Sequence, residues 1–388
     1  MRVGIYGGTF NPPHVGHLKS AKTAADQLEL DLLIVVPSGV PPHKQLPDNT
    51  PSADARLYMT SSAFSGLMNT VVIDIEIKNP GVSYCADTVN TIKDKYTGAE
   101  LFLLLGTDMF LTLDLWMNCE SLLSAVTPAV FSRSTEDSKK IANYSKALQE
   151  QYNVLARTVT NKVVEISSSQ LREMLPNRMG AEYLSDQVYA YIIKNKLYGA
   201  KPCWNWLRTR AHSMLNPDRI PHVEGCEEEA VRLAERWSVD VDDAREAAIL
   251  HDITKKLGAE DNLAILREHG VKINELVKGE EKLLHSKTAA LLALTEFGVS
   301  EAVADAIEWH TTGKAGMTKL SKIIYLADYI EPKRDFEGVD VLRALSYENL
   351  DSAMKMGIEI SIADMKSRGI VPNQATFDAL NDLQIGGA

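Results

Sequence analysis

Val3-Gly4-Ile5-Tyr6-Gly7-Gly8-Thr9-Phe10-Asn11-Pro12-Pro13-His14-Val15-Gly16-His17 decides the fold of the first half of this chain. The apolar start reads as a buried strand. Two glycines and two prolines then form a turn. Val15 shares one helical face with Leu18, Ala21, Ala25 and Leu28, so a helix begins where the histidines stand. A strand, a glycine turn and a helix start make an anion site. Glycines let backbone N–H groups approach a phosphate, and the helix N-terminus adds partial positive charge. His14 and His17 lie three residues apart on the first turn, on one face. A pair of this kind also occurs as a cap and a core residue, but the length of the motif favours a phosphate site.

Outward from this stretch, apolar runs recur at Leu32–Val36, Val71–Ile77, Leu101–Leu105, Val126–Phe131 and Val163–Ile166, with helical segments between them such as Ala53–Phe64 and Ser83–Lys95. This alternation predicts a parallel sheet covered on both faces. Ligands of such sheets bind at the carboxyl ends of the strands, where the glycine turn lies. Beyond Ile166 the strand signal stops. Amphipathic patterns at Glu227–Trp237, Val241–Leu257, Lys282–Phe297, Glu301–His310, Thr318–Ile330 and Leu350–Lys366 predict an all-α second half. Tyr198-Gly199-Ala200-Lys201-Pro202 is the joint. The expected domains are 1–198 and 203–388, with 199–202 as a short linker.

At 388 residues two cores are expected. The net charge of −11 argues against nucleic acid and anionic membranes as partners, though not against nucleotides. Cys85, Cys119, Cys203 and Cys226 are scattered with no CxxC pair, which points to a reducing compartment. No signal peptide precedes the first strand and no apolar run can span a bilayer. A cytoplasmic protein is expected. Whether it forms a homo-oligomer is left open.

Ile166-Ser167-Ser168-Ser169-Gln170-Leu171-Arg172 closes the first half. Hydroxyls and free N–H groups at a helix start form a second anion cradle, and Arg172 can fork onto a phosphate. With these residues on hand, the chain resembles the nucleotidyltransferase superfamily, whose signatures are GTFxPxHxGH and ISSTxIR. Ser169 stands for the usual threonine. The resemblance narrows to the bacterial nicotinate-nucleotide adenylyltransferases over residues 1 to about 198. It rests on Pro41-Pro42-His43-Lys44, Arg56, Gly106-Thr107-Asp108 with Leu113 and Trp116, and Arg133. It implies a Rossmann-like domain that joins ATP, with Mg²⁺ held by its phosphates, to nicotinate mononucleotide. His17 would be the main transition-state stabiliser and His14 a phosphate ligand. Lys44, Arg133 and Arg172 would supply charge. Gly8, Thr9, Phe10, Ser168 and Ser169 would line the nucleotide site, with Asp108 on the adenosine side and Trp116 near the pyridine ring. Read singly, Asp108 is equally a helix cap and Trp116 equally a core residue. Ser83-Tyr84-Cys85 departs from the family's SYT. A thiol is a weaker hydrogen-bonding group, so nicotinamide mononucleotide stays open as the preferred substrate.

Six of the nine histidines lie in the helical half. The pair His251-Asp252 ends the apolar segment Ala244–Leu250. A buried pair there is costly without partners, and a metal is one remedy. His222, His285, His310 and Asp328 are the other candidate ligands, each on its own expected helix. The order H…HD…H…H…D resembles the HD phosphohydrolases. Arg219–Val223, Leu250–Lys255, His310–Gly313 and Ala327–Pro332 resemble the YqeK-type branch, which cleaves diadenosine tetraphosphate into two ADP. One metal would take His222, His251, Asp252 and Asp328. A second would take His285 and His310, with Asp252 shared as a bridge. Imidazole and carboxylate ligands suit Fe or Mn, as one or two ions. Asp252, through the metals it would bridge, and Lys255, on the substrate phosphates, would be the catalytic residues, although Lys255 read singly is equally a solvated surface lysine. Arg334 has a weaker claim. Together these features predict a multidomain protein: an α/β Rossmann-like nucleotidyltransferase followed by an all-α HD-domain bundle. A regulatory metal- or nucleotide-sensing helical half is the alternative.

Overall fold

The computed structural model describes residues 1–40, 46–79, 81–132, 134–160, 164, 166–271 and 283–385. The chain divides into two compact units, Met1–Lys201 and Pro202–Ala388.

Among the described residues the first unit is built on six strands: β1 (Arg2–Gly8), β2 (Leu32–Pro37), β3 (Thr70–Val72), β4 (Glu100–Gly106), β5 (Thr127–Ser132) and β6 (Arg157–Thr160). They form one sheet in the order β3-β2-β1-β4-β5-β6. Each pairing is parallel. This is the doubly wound arrangement, and the order reverses between β1 and β4. The central strands are buried on both faces, as in Leu101 to Leu105 of β4. Each fully buried side chain such as Leu103 contributes roughly 1.5–3 kcal/mol.

Two strands differ from expectation. β3 covers only Thr70–Val72 of the expected Val71–Ile77. The sixth strand is Arg157–Thr160 rather than Val163–Ile166. Of the expected stretch, Val163 and Glu165 lie outside the described residues, and Val164 and Ile166 are not in a strand. β6 is an edge strand with only Val159 buried, so it carries no apolar run to betray it.

The second unit is all helical among the described residues. Its core joins Leu207, Leu233, Ala247, Ile249, Ala289, Ile307, Ile323 and Met354, among others. Helices Ala259–Glu268, Val339–Glu348 and Gln374–Ile385 add to those expected, and Lys282 lies outside the described residues. The expected helix Val241–Leu257 stops at Leu250. His251 caps it and turns carry the chain through Lys256. The His251-Asp252 pair therefore leaves a helix end rather than riding on a continuous helix.

Candidate active sites

The first site is a cleft of about 400 Å³ at the carboxyl ends of β1 and β4. Its walls include Gly7, Gly8, Thr9, Phe10, His14, His17, Gly106, Ser168, Ser169 and Arg172. The point where strand order reverses thus carries the glycine turn, as sheet topology requires. A Cβ on Gly7, which lines the cleft, would meet no atom of the described residues within 4 Å.

His14 is the N-cap of the helix Val15–Gln27. Its Nδ1 accepts from the Gly16 N–H at 3.1 Å, and the His14 N–H donates to His17 Nδ1 at 3.2 Å. Both Nδ1 atoms are therefore acceptors from backbone, and each neutral ring carries its proton on Nε2. One backbone arrangement therefore caps the helix and fixes both tautomers. The rings lie 3.9 Å apart between centroids. A Cβ on Gly16 would sit 2.9 Å from the His14 ring. Gly16→Ala is expected to push that ring aside and lower kcat/KM for adenylyl transfer by about 10²-fold, the cost of a misplacement near 1 Å. Near-normal kinetics would remove His14 from the phosphate site.

The closing motif is tied directly to this turn. Ser167 caps the helix Ser168–Met174 in a reciprocal capping box with Gln170. Ser168 Oγ donates to Pro12 O at 2.9 Å, and Arg172 donates to Asn11 O at 2.7 Å and to Ser169 Oγ at 3.0 Å. Two anion cradles far apart in sequence thus share one wall. Asn11 is also held by the Tyr198 hydroxyl, which donates to its Oδ1 at 2.7 Å. Arg56 is 2% exposed and donates to the carbonyls of Thr9, Ser38 and Gly39. It braces the turn from behind.

Lys44, with Pro41–His43, and Arg133 lie outside the described residues. Asp108 and Trp116 are not among the described residues that wall the cleft. Asp108 is exposed on the first turn of Thr107–Phe110, whose N-cap is Gly106. Trp116 is half-buried against the core that holds Leu113 and Leu122. Cys85 opens the helix Cys85–Lys95. Burial, with the charge of Glu76, pushes its thiol up to about 12. Beside it, Glu76, Ser83, Tyr84, Asp87 and Thr88 line a second recess of about 190 Å³.

The second site lies in the helical unit. His222 sits on the helix Ile220–Trp237, and Asp328 on the helix Lys319–Ile330. His222 Nε2 is 3.0 Å from Asp328 Oδ1 and 3.9 Å from Asp252 Oδ2. His251 Nε2 is 3.4 Å from the same Asp252 Oδ2. The other oxygen, Oδ1, faces His285 Nε2 at 3.3 Å, His310 Nε2 at 3.6 Å and Lys255 Nζ at 3.6 Å. Asp252 is fully buried and divides its two oxygens between two groups of imidazoles.

The donor set fits a metal. Among the described residues, His251 Nε2, Asp252 Oδ1 and His310 Nε2 are buried with no hydrogen-bond partner, which is costly unless a cation takes them. His251 Nδ1 and His310 Nδ1 donate at 2.7 Å to the carbonyls of Ala248 and Ile307. His222 Nδ1 pairs with Glu331 Oε1 at 3.1 Å. Each Nε2 is thereby oriented as a ligand atom. A Cβ on Gly225 would lie 2.7 Å from Glu331 Oε2, so this glycine lets Glu331 approach. Three cations surround the centre. Arg219 Nε donates to Asp252 Oδ2 at 2.7 Å, Lys255 Nζ donates to His285 Nε2 at 2.9 Å, and Arg334 donates to Asp328 Oδ1 at 2.5 Å.

Burial disfavours charge on Asp252 and Asp328, but contact with histidines overcomes it, His251 first for Asp252 and His222 first for Asp328. Both carboxyls are held well below the usual range. Burial drives His310 down to about 4, so it is a neutral ring at pH 7. Burial is also the largest single influence on His251 and lowers it, but the charges of Asp252 and Asp328 together with its hydrogen bonds outweigh burial and raise its pKa. A metal ligand must be unprotonated. Metal binding to the metal-free chain is therefore expected to release a proton from His251 and to tighten as pH rises. Calorimetry in buffers of different ionisation enthalpy measures this; an affinity flat between about pH 6 and 8 would contradict it.

A sequence profile of the cytidylyltransferase-like family matches residues 5–174. A probable nicotinate-nucleotide adenylyltransferase of Borreliella burgdorferi is 33% identical over 202 residues, 52% of this chain and 98% of the relative. The chain belongs to the nicotinate-nucleotide adenylyltransferase family. A probable member from Oceanobacillus iheyensis is 36% identical over 198 residues, 51% of this chain and 96% of the relative. The family accounts for the first half alone. An HD domain profile matches residues 219–333, so the chain is a fusion of an adenylyltransferase-family domain with an HD domain. A crystal structure described as a predicted HD superfamily hydrolase involved in NAD metabolism from Clostridium acetobutylicum is 34% identical. It aligns with 48% of this chain and all of that one, at a TM-score of 0.47. Among the described residues no helix is long and apolar enough to cross a membrane.

Proposed function

We propose that this chain is a bifunctional enzyme. Its first unit transfers AMP from ATP to nicotinate mononucleotide, giving deamido-NAD and pyrophosphate. Its second hydrolyses diadenosine tetraphosphate symmetrically to two ADP. The first assignment rests on the cleft at the sheet's switch point, where the glycine turn, His14 and His17 meet Ser168, Ser169 and Arg172 in one wall. A phosphate oxygen of the mononucleotide attacks the α-phosphorus of ATP. The bond to the bridging oxygen breaks and pyrophosphate leaves with its electron pair. No covalent enzyme intermediate is needed, so catalysis is positioning and charge stabilisation. Mg²⁺ enters with ATP, held by phosphates and water. His17 and His14 stabilise charge on the phosphates. Arg172, with Lys44 and Arg133, adds cationic charge, and Ser168 and Ser169 complete the cradle. Asp108 and Trp116 serve the adenosine and pyridine ends. Chromatography of products from the acid and amide mononucleotides in competition tests this. Preferential formation of the amide dinucleotide would reassign the substrate.

The second assignment rests on Asp252, whose oxygens face two imidazole groups, with three buried ligand atoms unpartnered among the described residues. His222, His251, Asp252 and Asp328 would hold one ion, and His285 and His310, with Asp252 shared, a second; Fe or Mn suits the set. Such ions polarise a phosphate and acidify a water. Arg219, Lys255 and Arg334 neutralise the polyphosphate, and Lys255, 39% exposed, is the one most open to solvent. Diadenosine tetraphosphate should yield ADP alone. AMP plus ATP, or metal binding without hydrolysis of any nucleotide, would overturn the assignment, and the latter would favour a sensor. All four cysteines are free, in keeping with a cytoplasmic setting.

A further inference from the structure

Cys226 plays no part in the reading above, yet it points at the metal centre. It stands four residues after His222 on the helix Ile220–Trp237, one turn along the same face. It is 1% exposed. Its Sγ lies 3.5 Å from His222 Nε2, the ligand nitrogen, against 3.9 Å from Nδ1. A nitrogen about 2.1 Å and a sulfur about 2.3 Å from one ion lie about 3.1–3.6 Å apart for ligand angles between about 90° and 110°. The observed separation lies within the range that an ion shared by the two residues requires. An oxygen and a nitrogen each about 2.1 Å from that ion lie about 3.0–3.4 Å apart, and Asp328 Oδ1 is 3.0 Å from the same nitrogen. The ligand atoms of His222, Cys226, His251 and Asp328 all fall within 4.8 Å of one another. An independent observation points the same way: His251 Nε2 is buried there with no hydrogen-bond partner among the described residues.

We propose that Cys226 is a thiolate ligand of the ion held by His222, His251, Asp252 and Asp328. This inference rests on the metal reading of the HD centre and adds a sulfur to it. A soft sulfur among imidazoles and carboxylates shifts the preference of this position toward Fe, Co and Zn, and away from Mg and Mn. The second position, with His285, His310 and the other oxygen of Asp252, has no sulfur and keeps its harder character. The two positions would then differ in the metals they favour.

The test is cobalt(II) added to the metal-free full chain, followed by absorption spectroscopy. Visible ligand-field bands that His251→Ala removes report an ion in the HD centre. A near-ultraviolet sulfur-to-cobalt charge-transfer band reports the thiolate. The proposal expects both in the native chain, with loss of the near-ultraviolet band alone in Cys226→Ala and Cys226→Ser. Cys203→Ser should leave both bands in place. Circular dichroism and thermal melting of the two Cys226 variants check that the bundle still folds, and the pair keeps the result decisive if one does not. Visible bands without the near-ultraviolet band, or a near-ultraviolet band that survives in the Cys226 variants, would overturn thiolate ligation and leave the metal centre standing. Absence of any visible band sensitive to His251 would overturn the metal centre itself, and the thiolate with it.

Discussion

His17→Ala is expected to lower kcat for adenylyl transfer by about 10²–10³-fold, the loss that follows removal of one preorganised donor to developing charge. The reason is specific to the ring's wiring. His17 Nδ1 accepts the His14 N–H, so its proton sits on Nε2 and costs no reorganisation at the moment of reaction. The alanine variant loses that donor and half of the capping box, which costs about 1 kcal/mol of helix stability. Melting temperature separates the two effects: a shift of a few degrees accompanies the cap, whereas the kinetic loss is far larger. KM for ATP should move little, because the interaction strengthens in the transition state. Turnover within a few-fold of the native chain would remove His17 from the chemistry.

Asp252→Ala is expected to abolish metal retention and to lower tetraphosphate hydrolysis by about 10³-fold or more, since bound ions contribute several kcal/mol of charge stabilisation. Asp252 faces His251, His285, His310, Arg219 and Lys255 together. Its loss leaves Arg219 unpaired beside a cluster of imidazoles, so part of the effect will appear as lower stability. Asp252→Asn keeps the volume and one oxygen. It should fold better while still losing hydrolysis and metal, measured by elemental analysis after gel filtration. A variant that keeps its metal and its rate would dissolve the bridge assigned to this residue.

The glycine–histidine turn and the parallel sheet were legible because their signals are local. Buried strands print as unbroken apolar runs, and the cap, turn and helix start fall within eleven residues. β6 was not legible: an edge strand buries one residue in two at most, and here only Val159. The six metal-ligand candidates were readable as residue types in order, but their partners were not. His222 meets Glu331 across 109 residues, Arg219 meets Asp252 across 33, and Tyr198 meets Asn11 across 187. No periodicity encodes such pairs. Arg56 was visible at the start of its helix, yet its burial on three carbonyls depends on how β1 and β2 end side by side. Cys226 was counted only as one scattered cysteine, though its spacing of four from His222 was the available signal. Placing His251 and Asp252 on a continuous helix assumed that the apolar pattern continues through them; the helix stops at Leu250.

The central claim is that one chain carries two separate catalytic centres. The most direct measurement assays the native chain, His17→Ala and Asp252→Ala for both reactions under one set of conditions. The account predicts a crossed result: His17→Ala loses deamido-NAD synthesis and still releases ADP from diadenosine tetraphosphate, and Asp252→Ala does the reverse. Loss of both activities from either single change, or no ADP release by the native metal-loaded chain, would contradict it.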